Sequence, residues 1–163
     1  MAQNPSDTIS PVSRSAVAVL VLTSIHHAYG AHVYGTPWRH HVVFVAVAAM
    51  LAMFGSLAVH RRDPSGPRGR LAWWAYVLTV LAIPVLMIGV FEGLYNHVAK
   101  DVLYFAHAPT AWMTMLFPPP TYEMPNDLFF EVTGVLHVVP AALTAWYLAR
   151  AVFAERTHAR AVG

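Results

Sequence analysis

Four long apolar stretches run from about Ser15 to Tyr34, His41 to Val59, Leu71 to Val98 and Leu128 to Ala149, with very few charged side chains inside them. A helix rises about 1.5 Å per residue, so roughly 20 apolar residues cross the hydrocarbon of a bilayer. In lipid, only helices and closed barrels satisfy every backbone group, and the period-2 alternation of barrel strands is absent. The expected fold is therefore all-α: an integral membrane four-helix bundle forming a single membrane domain over residues 1–163, with polar tails at 1–14 and 150–163. A chain of 163 residues leaves no room for a separate soluble domain beside four spans. Pro84, near the middle of the third stretch, and Pro140, in the fourth, are expected to kink their helices.

Composition supports this reading. Only 11% of residues are Asp, Glu, Lys or Arg, against about 25% in soluble domains. That excludes a disordered tail, a coiled coil and a water-soluble enzyme of ordinary composition. The absence of cysteine excludes disulfides, iron–sulfur clusters, thiolate zinc sites and a cysteine nucleophile. A pI near 9.2 would suggest nucleic acid in a soluble protein; here the basic residues flank the spans, so the expected partner is the lipid bilayer and not nucleic acid. The apolar run from Ser15 passes straight into His26 and His27 with no small-x-small site, so a cleaved signal peptide is not expected.

The connections differ in kind. Residues 35–40 are short, 60–70 form a short basic turn, and 100–127 are long and apolar, with Trp112, Met113, Met115, Phe117, three prolines at 118–120, Tyr122 and Met124. Residues 100–127 are expected to lie as an interfacial lid between the third and fourth helices. In a four-span chain both termini and the 60–70 turn share a side. That side carries Arg14, Arg61, Arg62, Arg68, Arg70, Arg150, Arg156 and Arg160; the other carries only Arg39 and Lys100. The positive-inside rule then predicts cytoplasmic termini in a plasma membrane, that of a bacterium's inner envelope.

The histidines sort against the arginines. His60 and His158 lie on the basic side, while His26, His27, His32, His40, His41, His97, His107 and His137 fall in the opposite half, together with Glu92 and Glu131. An ionisable side chain in the middle of a span costs about 2.5–3.5 kcal/mol on insertion scales and usually faces the protein interior for a reason. A buried Glu must be neutral, paired or bound to a cation. The candidate metal ligands are His26, His27, His32, Glu92, His97, Glu131 and His137, a donor set that suits iron, zinc or copper(II). Met113, Met115 and Met124 would add soft ligands for copper(I) if the connection folded inward. No linear motif supports the set: at 100° per residue Glu92 and Asn96 share a face, His97 lies about 140° from Glu92, and Glu131 and His137 are about 120° apart.

Each residue also has a plainer reading. A lone His in a span commonly hydrogen-bonds a neighbouring helix. His32, His40, His41 and His107 fit an interfacial position, Glu131 fits the first turn of a helix capped by Asn126 or Asp127, and Asp101, Glu123 and Asp127 fit solvated charges. Three functions follow. The leading expectation is a metalloprotein with a non-haem His/Glu site, acting as a metal-dependent oxidoreductase or hydrolase on a hydrophobic small molecule. The second is a haem b electron carrier with His26 or His27 and His137 as axial ligands. The third is a non-catalytic metal-handling protein or a membrane-complex subunit, alone or as a homo-oligomer. A conduit is disfavoured because the basic half of the spans has almost no polar residue.

Overall fold

The computed structural model describes residues 5–119 and 121–162, with side chains over 10–119 and 121–157. Every regular element among them is helical. Helix α1 spans Pro5–Val33, a short turn of 3₁₀ helix spans Pro37–His40, and α2 spans His41–Arg62. Helix α3 runs from Pro67 to Phe105, α4 is Thr110–Leu116, α5 is Leu128–Leu136 and α6 is Val138–Val162. Four helical spans are long and apolar enough to cross a membrane: Ser10–Val33, Pro37–Arg62, Pro67–Phe105 and Leu128–Thr157. Their outward faces carry Phe44, Leu51, Leu71, Leu78, Trp146 and Phe153, all exposed. Apolar surface on this scale is a lipid-facing surface, and the chain is a membrane protein.

The helices overrun their expected ends. Residues 5–14 belong to α1 and 150–162 to α6, where tails were expected. Lys100–Phe105 completes α3 instead of starting the connection. Polar residues such as Arg14 and Arg150 are exposed on these ends, so hydropathy falls while the backbone hydrogen-bond ladder continues. A span and a helix are different quantities.

Two backbone irregularities sit in the half that carries the histidines. From Leu81 to Ala99, α3 winds with the wider i→i+5 hydrogen bonds of a π-helix, and Pro84 lies near its start. Proline has no N–H to donate and crowds the preceding turn, so the regular i→i−4 ladder cannot pass it unchanged. The fourth span is interrupted at His137, between α5 and α6 and three residues before Pro140. There the His137 N–H bonds the Gly134 carbonyl at 3.2 Å, a tighter turn than the α-helix. Both proline positions thus mark departures from α geometry.

Helix ends are terminated by left-handed residues. Gly35 has φ +61° and His107 has φ +56°. In each case the next amide reaches back five residues, Thr36 to the Ala31 carbonyl and Ala108 to the Leu103 carbonyl, at 3.0 Å. This is the Schellman arrangement. His107 therefore works as a terminator on the surface.

The core divides by polarity. Toward the basic end, Val12, Ala16, Leu20, Met53, Leu57, Trp73, Tyr76, Val80, Leu148 and Ala151 pack into a continuous apolar cluster. Its polar content is small, with Ser13 and Tyr76 sharing a hydrogen bond of 2.9 Å. Helix α1 packs on α2 and α6, and α2 packs on the first turns of α3. Gly89 and Gly93 let the π-wound stretch of α3 approach α6 closely: a Cβ at Gly89 would overlap Ala141, and one at Gly93 would meet His137 Cβ and Val138. Gly89→Val or Gly93→Val should each cost about 1–3 kcal/mol by overpacking. Gly55→Ala, where a Cβ meets nothing within 4 Å, should be neutral or stabilising by about 0.5–1 kcal/mol. Thermal unfolding in detergent measures all three.

Candidate metal centre

Glu92 lies on the π-wound stretch of α3 and is the meeting point of three imidazoles. Its Oε1 is 3.6 Å from His26 Nε2, 3.5 Å from His27 Nε2 and 3.6 Å from His97 Nε2. Its Oε2 accepts a hydrogen bond of 2.8 Å from the Asn96 amide. The winding explains the last two partners. On a regular α-helix His97 points well away from Glu92; with i→i+5 bonding each turn holds more residues, and positions four and five apart both come round to the same side. The expected 140° offset does not apply here.

The far nitrogens of His26, His97 and His137 are held by acceptors, whereas His27 Nδ1 is buried without a hydrogen-bond partner. Thr133 Oγ1 donates to the Phe129 carbonyl at 2.8 Å, so at its 2.9 Å contact with His26 it accepts from Nδ1–H. His97 Nδ1–H donates to Glu131 Oε2 at 2.7 Å. His137 Nδ1–H donates to the Gly134 carbonyl at 3.0 Å. With Nδ1 engaged, the Nε2 atoms of His26 and His97 face the Glu92 carboxylate. The Nε2 atoms of His26 and His137 are buried with no hydrogen-bond partner.

Glu131 is buried and doubly engaged. Besides holding His97, its Oε1 accepts from Lys100 Nζ at 3.0 Å. Lys100 is 2% exposed and also donates to the Glu123 carbonyl at 2.8 Å. The capping role falls to Asp127, whose carboxylate accepts from the Phe130 amide at 2.9 Å. Glu131 thus orients His97 and is not one of the groups gathered on Glu92. Asp101 and Glu123, expected as solvated charges, are partly buried; Glu123 Oε1 lies 3.6 Å from Arg39 Nη2.

The remaining candidates separate clearly. His26, His27 and Glu92 form the compact set, with one ligand atom from each lying within 4.8 Å of the others. His97 reaches the same carboxylate oxygen from outside that set. His137 stands edge-on to His26 with ring centroids 5.2 Å apart. His32 is exposed and outside the group. His40 and His41 are exposed and bond backbone carbonyls of their own turn. The methionines do not join: Met113 and Met124 line a separate cavity with His107, and Met115 is exposed.

Two groups carry weight that the residue pattern did not reveal. Thr133 is one hydroxyl among many, and nothing in its spacing marks it as a partner of a residue 107 positions away. Arg39 figured only as a charge in the topology count, yet it is 5% exposed and sits against the Trp38, Phe130 and Tyr34 rings at 5.1–5.5 Å. A cavity of about 280 Å³ is lined by His27, Glu92, Asn96, His97, Arg39 and apolar side chains of α2 and α3. His26 and His137 stand behind it, fully buried.

Removing Glu131 would leave a buried ammonium without its counter-charge, so Glu131→Ala should cost about 3–5 kcal/mol. The double variant Glu131→Ala/Lys100→Met should recover much of that loss. A double-mutant cycle of thermal unfolding measures the coupling. Comparison with protein-family models, curated proteins and solved structures gives no match for this chain.

Proposed function

We propose that the protein is a multi-pass membrane metalloprotein whose His26, His27 and Glu92 bind a transition-metal ion, with His97 as a fourth donor. One observation carries the reading: the Nε2 atoms of three imidazoles converge on one carboxylate oxygen at 3.5–3.6 Å, longer than a good hydrogen bond and the spacing of ligands around a shared cation. Two ligands about 2.0–2.1 Å from a tetrahedral ion are roughly 3.3–3.4 Å apart, close to the separations of 3.5–3.6 Å around Glu92 Oε1. Thr133 on His26 and Glu131 on His97 supply the outer support typical of metal-bound histidines.

Three imidazoles and one carboxylate suit zinc, and they suit non-haem iron(II), which keeps further positions open. Such an ion supplies a Lewis acid or, for iron, a redox centre. Beside an apolar cavity, it suits a metal-dependent oxidoreductase or hydrolase acting on a hydrophobic small molecule. The haem alternative fits the packing less well. The His26 ring is hemmed by His27, His97 and His137 at 4.8–5.2 Å and stacked on Phe130 at 4.1 Å. These contacts leave no slot for a porphyrin between His26 and His137.

In this reading the four spans form a bundle, with the 106–127 segment as a lid on its histidine end. Phe117 is fully buried, and Tyr95 donates to the Leu116 carbonyl at 2.8 Å. The arginine count supports a reading with both termini in the cytoplasm and the site toward the outer face of a bacterial plasma membrane.

Metal analysis of protein purified in detergent tests the site. Stoichiometric iron or zinc is expected without a Soret band. Glu92→Ala or His26→Ala should abolish retention, and Thr133→Val should weaken affinity about 10–100-fold while leaving the proposed ligands in place. A Soret band, or metal content indifferent to Glu92→Ala, refutes the proposal. Single cysteines placed at 60–70 should be shielded from an external impermeant thiol reagent and those at 106–127 labelled; the reverse overturns the orientation.

A further inference from the structure

Helix α2 packs on the first part of α3 and barely touches its π-wound part. The two therefore part company in the half that carries the histidines, and the 280 Å³ cavity lies in the wedge between them. Its side walls are Val42 and Val45 of α2 and Met87, Ile88 and Phe91 of α3. Met87 and Phe91 are 38% and 49% exposed, so the wedge opens on the lipid-facing surface. Its floor is Glu92 with His27 and His97, and the polar lining includes Arg39.

Arg39 is unlike a surface arginine. Thr36 Oγ1 accepts from its Nε at 2.8 Å, while its Nη2 is buried without a hydrogen bond. The nearest carboxylate, Glu123, remains 3.6 Å away. A guanidinium has five donors in a planar fork that matches a carboxylate, and burying it with donors unused is costly. Volume sets the size of what would satisfy it. At about 30 Å³ per water-sized group, the cavity holds on the order of ten non-hydrogen atoms.

We propose that this wedge binds a membrane-dissolved amphiphile, an apolar chain or ring of about that size bearing one carboxylate, which enters sideways from the lipid and docks its head on Arg39 beside Glu92. The inference deepens the metal-site reading by naming the substrate class of the same site. The carboxylate competes with Glu123 for the guanidinium, and the apolar body lies along Val42, Val45 and Phe91.

The test uses the full chain in nanodiscs of uncharged lipid, with octanoate as probe, octanamide as neutral control, and metal content measured on the same samples. Calorimetric titration should show octanoate binding about tenfold or more tighter than octanamide, the scale of a charge-assisted hydrogen bond. Arg39→Gln should erase that preference, and Val45→Trp should block both ligands by filling the wedge, each at wild-type metal content. Should Arg39→Gln fail to fold, Glu123→Gln decides the matter: removing the resident competitor should tighten octanoate several-fold. No octanoate binding to metal-bearing protein, equal octanoate affinity in folded Arg39→Gln, or unchanged or weakened binding in Glu123→Gln overturns the pocket while leaving the metal reading intact. Arg39-dependent binding to protein that carries no metal upholds the pocket and defeats the metal reading.

Discussion

A carboxylate inside an apolar helix must be neutralised, and the arrangement at the histidine end follows from how Glu92 meets that demand. Asn96 satisfies one of its oxygens and three imidazoles gather on the other. To bring His26 and His27 there, α1 must present one face to the π-wound stretch of α3. To bring His97 there, α3 must depart from α geometry. The partners that hold the histidines then recruit α5, through Thr133 and Glu131. Glu131 in turn fixes Lys100, and Lys100 holds the connection through the Glu123 carbonyl. One partly buried carboxylate thus organises three helices and the segment that links two of them.

Backbone irregularity is what makes this assembly possible. Two prolines that would be faults in a soluble helix mark the two places where the chain leaves α winding, and both lie close to the histidines. The π-wound stretch changes which residues of α3 share a face. The fourth span is interrupted at His137, and Glu131 and Thr133 serve the cluster from α5 while His137 meets His26 from the break. Glycine does the complementary work: a Cβ at Gly134 would overlap the His97 ring, so the ring lies directly on the α5 backbone. Irregular backbone at membrane depth is tolerated where it is enclosed by protein.

The two halves of the molecule carry different burdens. Toward the basic end, an apolar cluster without buried charge holds α1, α2, α3 and α6 together. Toward the histidine end, packing is looser, α2 leans away from α3, and a cavity reaches Glu92. A closed apolar half supplies rigidity, and the polar half can then keep unpaired imidazole nitrogens and a buried guanidinium that no uniformly packed core would retain. The cost of those groups is borne by their partners across helices, Thr133 for His26, Glu131 for His97 and Lys100, and Glu123 for Arg39.

Apolar length and scarcity of charge were enough to settle that the chain is a helical membrane protein, because lipid permits so few alternatives. The placing of His26, His27, Glu92 and His97 in one half of the molecule was also legible, since position along a helix is a simple function of residue number. Facing was not. Glu92 and His97 share a side only because α3 winds in π geometry, and the angular arithmetic that separated them assumed a regular helix. Nor did composition distinguish His32, which is exposed, from His26, which is fully buried six residues earlier. Arg39 and Thr133 acquired their places through contacts with residues far away in the chain. Sequence determined which groups lie in which half; tertiary structure decided which of them meet, because rotation about a helix axis is set by the neighbours it packs against.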